Sequence, residues 1–181
     1  MTNLKRVVLL LPLFIVWVVA ASAGLFYFGN QHYGQFAGDT DWHHSAAAEF
    51  HLSALNVDVS PGIQVVHVRQ PTCVCNSRAE DHIALFASDY QVPVIAQHQR
   101  KLADIAAAGF MLPASPAVLI FDNGLLIYAG PYATGPLCSV SDSLIAPILL
   151  KDVQLPGLWL NGEVKACRCL SEYSLLTKVA E

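Results

Sequence analysis

Five cysteines are the residues of this 181-residue chain best suited to chemistry, and four of them form two Cys-x-Cys pairs. Cys73 and Cys75 stand in PTCVCN, between the apolar run IQVVHV and a stretch with helical periodicity. Cys167 and Cys169 flank Arg168 in ACRCL, and Cys138 stands between the two pairs. A thiol at a helix N-terminus faces unpaired backbone N–H groups and the positive end of the macrodipole, and both favour the nucleophilic thiolate. That is the basis for thiol–disulfide exchange. A bridge between Cys73 and Cys75 closes a very small ring, and a strained disulfide is the stronger oxidant. The same thiolates suit copper(I) or zinc. For a metal, Cys73 and Cys75 with His82, on the helix that begins beside them, form the candidate ligand set. Structural zinc sites usually place about two to four residues between their near ligands, so the spacing is only a fair match. A third use is structural. A bridge from Cys138 to Cys167 or Cys169 would hold the C-terminal tail on the domain and constrain the unfolded chain. The odd number leaves one thiol over if all pairing is internal. The tail pair could instead exchange with Cys73 and Cys75 as an internal relay, if it reaches them, and Arg168 would favour thiolate there.

The elements that must position these thiols are legible in outline. Ile63 to Val68 is a β-branched run, expected as a buried strand. After the thiols, Ala79, Ile83, Phe86 and Tyr90 fall on one helix face, and Ser77 with Glu80 makes a capping-box pattern. VPVIAQ (92–97) is expected as a second strand, and QRKLADIAAAGF as a helix ending near Gly109. AVLIF (117–121) and LLIYAG are strands joined by the hairpin signal Asp122-Asn123-Gly124. SVSDSLIAPILL is expected as a last helix, kinked or shortened by Pro147. Residues 29–61 read as a stalk and lead-in, with a short helix capped by Ser45 beginning within it. Residues 62–150 make one α/β domain, and 151–181 a Cys-rich extension outside it. Trp42, His43 and His44 read as a packing or interfacial contact, and Trp159 as a tail anchor.

From Val7 to Phe28 the chain carries no charge, and its 22 residues match a spanning helix. Residues 1–28 are therefore read as a cytoplasmic stub and single-pass anchor. Lys5 and Arg6 precede the segment and no further Lys or Arg occurs until Arg69, which places the rest of the chain outside the cytoplasm. A cleaved signal peptide is the alternative, with Ala21-Ser22-Ala23 as the cleavage pattern. Disulfides persist in that compartment. Lys5 and Arg6 are two of only 10 basic residues against 14 acidic ones, so the exported part has no electrostatic footprint for nucleic acid.

The element order, thiols after the first strand and Ser115-Pro116 directly before AVLIF resemble the thioredoxin superfamily. VVHVRQPTCVCNSRAEDH, SPAVLIFDNGLLIYAGPYATGPLC and the late Cys-x-Cys are similar to one group of membrane-anchored bacterial thioredoxin-like proteins. The resemblance implies a thioredoxin-like α/β/α sandwich with a mixed sheet. It implies a cis peptide at Pro116 packed beside the thiols, Cys73 as attacking thiol and Cys75 as resolving thiol. The family's usual motif is Cys-x-x-Cys after Trp, whereas Cys-x-Cys here follows Thr72, which argues against an ordinary dithiol reductase. The expectation is a thiol–disulfide oxidoreductase of the inner membrane, facing the periplasm, acting on thiols or disulfides of exported proteins without a cofactor. The alternatives are a copper or zinc binding module and a redox-inert binding domain stapled by disulfides.

Overall fold

The computed structural model describes residues 3–38, 40, 42 and 50–172, in two compact units that divide between His32 and Tyr33. The first unit is one helix, α1 (Asn3–Asn30), with Pro12 inside it. Its stretch Leu10–Gly29 is long and apolar enough to cross a membrane. The large apolar side chains along that stretch stand exposed, which suits a lipid surround; a signal segment shares the same length and composition.

The second unit contains β1 (Tyr33–Gln35), β2 (Ile63–Arg69), α2 (Asn76–Ser88), β3 (Gln97–Lys101), α3 (Leu102–Ala107), β4 (Ala114–Ser115), β5 (Ala117–Asp122), β6 (Leu125–Gly130), α4 (Ala146–Leu149), β7 (Trp159–Leu160), β8 (Lys165–Cys167) and β9 (Cys169–Leu170). Five strands form a mixed sheet in the order β3-β2-β5-β6-β7. β2 runs parallel to β3 and antiparallel to β5, β5 is antiparallel to β6, and β6 is parallel to β7. The helical crossover through α2 makes the parallel pair and the tight hairpin makes the antiparallel one.

Strand periodicity sorts side chains to the two faces. Val65, Val118, Ile120 and Tyr128 pack with Ala79 and Phe86 of α2 and with Ile148 and Leu149 of α4. Val66, Val68, Leu119, Phe121 and Leu126 pack with Ile105 of α3 and with Phe36, Phe50 and Leu52 on the opposite face. Each Val, Leu, Ile or Phe side chain among them contributes about 1.5–3 kcal/mol when fully buried. The hairpin forms as its sequence requires. Asn123 (φ 51°) and Gly124 (φ 82°) both adopt the left-handed conformation of a type I′ turn.

Several elements differ from the sequence reading. VPVIAQ is not a strand: Val94–Ala96 is a 3-10 turn, and the strand is the polar segment Gln97–Lys101 that follows. Pro93 has no N–H for a ladder, and a charged edge strand resists unwanted pairing. Ser77 and Glu80 do not cap α2. Its N-cap is Cys75, with no side-chain cap bond, while Glu80 pairs with Arg69 at 3.2 Å. The last helix is the single turn α4, with Pro147 in its first turn and the Ser143 hydroxyl accepting from the N–H groups of Ile145 and Ala146.

From Tyr33 on, the expected stalk packs into the unit. Phe36 is fully buried, and Trp42 packs at a tilt against Phe36 and Phe110 and donates its indole N–H to the Met111 carbonyl at 2.9 Å. His43, His44, Ser45 and Glu49 lie outside the described residues. The C-terminal extension joins the fold as well, because β7 adds to the main sheet. Trp159 stays partly exposed while its ring meets Tyr128 edge-on.

Candidate functional site

The turn between β2 and α2 is fixed by its own backbone. The Gln70 carbonyl accepts from the Cys73 N–H at 3.0 Å and from the Asn76 side-chain amide at 2.8 Å. This holds Cys73 one turn ahead of α2 and puts Cys75 at the helix's N-cap. Both thiols therefore occupy the junction read from the sequence.

Their partners are in the tail. Cys73 is bonded to Cys169 and Cys75 to Cys167, with Cα–Cα distances of 5.7 and 5.8 Å. No Cys73–Cys75 ring forms. Backbone pairing explains why the tail arrives in register. β8 pairs antiparallel with β1, Tyr33 opposite Cys167. β9 pairs antiparallel with β4, Ser115 opposite Cys169. The Ser171 N–H continues that ladder to the Pro113 carbonyl at 2.8 Å, and the Gly135 N–H donates to the Lys165 carbonyl at 2.9 Å. Arg168 lies with its guanidinium over Gly34. A Cβ at Gly34 would meet its guanidinium at 2.6 Å, so the glycine makes room for that group.

Ser115-Pro116 is a cis peptide and lies against the thiols. The Cys73 sulfur is 3.4 Å from the Ser115 carbonyl oxygen; as a disulfide sulfur it carries no proton, so this is a contact rather than a hydrogen bond. The sulfurs of Cys73, Cys75 and Cys169 all lie within 4.8 Å of one another. Cys73, Cys75 and Cys167 are buried and Cys169 is the least buried of the four.

Cys138 and His82 do not join this group. Cys138 is a free, buried thiol, which corrects the expected staple from Cys138 to Cys167 or Cys169. Burial pushes its pKa up, opposed by a backbone hydrogen bond from Ala133 and by the Arg78 charge. Such a thiol is a poor nucleophile at neutral pH. His82 is fully buried with its Nε2–H donating to the Cys138 carbonyl at 2.9 Å. Burial lowers its pKa and the Cys138 hydrogen bond opposes the shift. It thus supports the Cys138 loop, and the cluster of possible metal-binding atoms contains Cys169 in its place.

His67 had no assigned role in the sequence reading. It lies under α2, edge-on to Phe86, with Nδ1 2.9 Å from the Tyr132 hydroxyl and Nε2 3.3 Å from Gln97 Oε1. Gln97 Nε2 donates to the Val92 carbonyl, so its Oε1 accepts from His67 Nε2–H and the Tyr132 hydroxyl donates to Nδ1. Desolvation lowers the His67 pKa to about 4. Burial raises that of Tyr132 above the usual phenol range. Both groups are neutral. Only the alternation along β2, which points His67 to the same face as Val65, marks it in the sequence.

Among known proteins, a family model described as "Domain of unknown function (DUF6436)" matches residues 43–171. No curated protein and no solved structure matches the chain. The matched stretch carries all five cysteines and cis-Pro116 and leaves out α1. The chain belongs to the DUF6436 family.

Proposed function

We propose that this protein is a membrane-anchored, extracytoplasmic thiol–disulfide oxidoreductase in which the tail pair, Cys167 and Cys169, is the internal partner of Cys73 and Cys75. One observation carries the reading: two nested disulfides at the N-terminus of α2, with three sulfurs within 4.8 Å. Strand order, strand directions and the cis-proline against Cys73 support a thioredoxin-like fold. α1 with Lys5 and Arg6 on its N-terminal side supports an inner-membrane anchor with the domain in the periplasm.

The exchange balances as follows. A substrate thiolate attacks Cys169, the least buried sulfur, and Cys73 leaves as thiolate, stabilised by the helix N-terminus. The substrate's second thiol resolves the mixed disulfide, so the substrate gains one disulfide and Cys73 and Cys169 become thiols. The Cys73 thiolate then attacks Cys75, a Cys73–Cys75 bond forms, and Cys167 leaves as thiolate. One two-electron reduction thereby removes both covalent tethers of the tail.

The test uses the full chain in detergent micelles. One equivalent of dithiothreitol followed by alkylation and peptide mapping is expected to give a Cys73–Cys75 bridge with Cys167 and Cys169 both labelled. Cys73→Ser is expected to abolish exchange of the reduced protein with a small disulfide. Exchange unchanged in Cys73→Ser would overturn Cys73 as the attacking thiol, and two bridges that survive excess dithiol under native conditions would leave a redox-inert, stapled domain instead.

A further inference from the structure

We infer that, once both bridges are reduced, Cys73, Cys75, Cys167 and Cys169 form a closed tetrathiolate site for one zinc ion. The inference rests on the convergence of the four sulfurs and not on exchange activity. Zinc takes four cysteines in tetrahedral sites at about 2.3 Å, which sets sulfur–sulfur edges of about 3.8 Å. Three of the sulfurs already lie within 4.8 Å of one another, and the fourth, on Cys167, is bonded to Cys75 at 2.00 Å. Breaking the two S–S bonds forces each bonded pair apart to van der Waals contact, close to the edge of that tetrahedron. Cys75 needs to close on Cys73 and Cys169 by up to about an ångström, the bonded pairs open by somewhat more, and Cys167, outside that 4.8 Å group, swings in as its bond to Cys75 opens.

The backbone supplies the chelate that sequence spacing lacks. Cys-x-Cys is short for a zinc pair taken alone. Here one pair comes from the turn before α2 and the other from β8 and β9, which backbone ladders to β1 and β4 also hold in place. Burial of Cys73, Cys75 and Cys167 keeps water out, as in a structural rather than catalytic zinc site. Four thiolates around a dication leave two negative charges, and they lie at the positive end of the 13-residue α2, whose N-cap is Cys75.

Each bridge takes two electrons and two protons from a dithiol, which is itself oxidised to a disulfide. The thiols then release their protons as the ion binds. Zinc bound only to the reduced state stabilises that state, so the apparent reduction potential of the bridges shifts to a more oxidising value.

The full chain in detergent micelles, reduced with a phosphine and kept anaerobic, is titrated with zinc and read by native mass spectrometry. One zinc per reduced chain and none per oxidised chain is expected. Cobalt in its place should give the thiolate-to-metal charge-transfer absorption of a tetrahedral site. Cys138→Ser should keep the ion, and Cys167→Ser with Cys169→Ser should lose it. The inference is overturned if the reduced chain retains no zinc, if loss follows Cys138→Ser instead, or if binding is as tight in concentrated urea, where the fold cannot supply convergence. The wild-type comparison needs no variant to fold. A protein that binds zinc and exchanges no disulfide keeps this inference and loses the oxidoreductase reading; one that exchanges and binds no zinc does the reverse.

Discussion

His67 illustrates what a buried titratable residue does for this fold. Folded, its ring stays neutral down to about pH 4, against 6.5 for a free histidine. The unfolded chain therefore binds the extra proton first as pH falls. This contribution to stability is complete above pH 6.5, declines between 6.5 and 4, and changes no further below. A shift of this size corresponds to about 3 kcal/mol. In urea titrations the stability gap between wild type and His67→Gln should narrow by up to that amount as pH is lowered through the window. A gap that holds constant with pH would mean that His67 keeps its ordinary pKa. Cys138 is the opposite residue-scale case: a thiol that burial holds protonated, beside a histidine that binds its carbonyl and not its sulfur.

Among the elements, the β5–β6 hairpin has a turn with little room for a side chain. Gly124 has φ +82°, and a Cβ there would meet the Val59 side chain at 2.8 Å. Gly124→Ala is expected to cost about 1–3 kcal/mol from strain at a left-handed position, read as a lowered urea midpoint. An unchanged midpoint would show that the turn relaxes freely. This hairpin and the helix face of α2 were legible in the sequence because both are set by neighbours in the chain: the Asp-Asn-Gly turn, and apolar spacing at 3.6 residues. The α2 cap and the β3 strand were not. Ser77 and Glu80 match a capping box, yet Glu80 is drawn off by Arg69 from the neighbouring strand. An apolar run at 92–97 looks more like a strand than QHQRK does, but Pro93 breaks its ladder and the polar segment suits an exposed edge.

At the scale of the molecule, the two bridges join positions 96 and 92 residues apart. By loop-closure entropy the first of them to form is worth about 4–5 kcal/mol, and the second, closing only a ring of a few residues, about 2. Removing either bridge alone (Cys73→Ser/Cys169→Ser or Cys75→Ser/Cys167→Ser) should cost about 2 kcal/mol, and removing both about 7, more than the sum. Equal, additive losses in non-reducing urea titrations would show that the bridges constrain the unfolded chain independently.

The sequence alone determined what neighbouring residues enforce: an apolar segment long enough to span a bilayer, two thiols at a strand–helix junction, a tight hairpin, and a proline before β5. The tertiary structure decided which thiols meet. Every pairing of five cysteines is compatible with the same composition and spacing. The choice among them follows from backbone ladders between distant segments, β1 with β8 and β4 with β9. These bring Cys167 and Cys169 onto Cys75 and Cys73 and leave Cys138 sealed beneath α2. Local periodicity carries no record of such long-range registers, because they depend on where the chain returns after more than fifty residues.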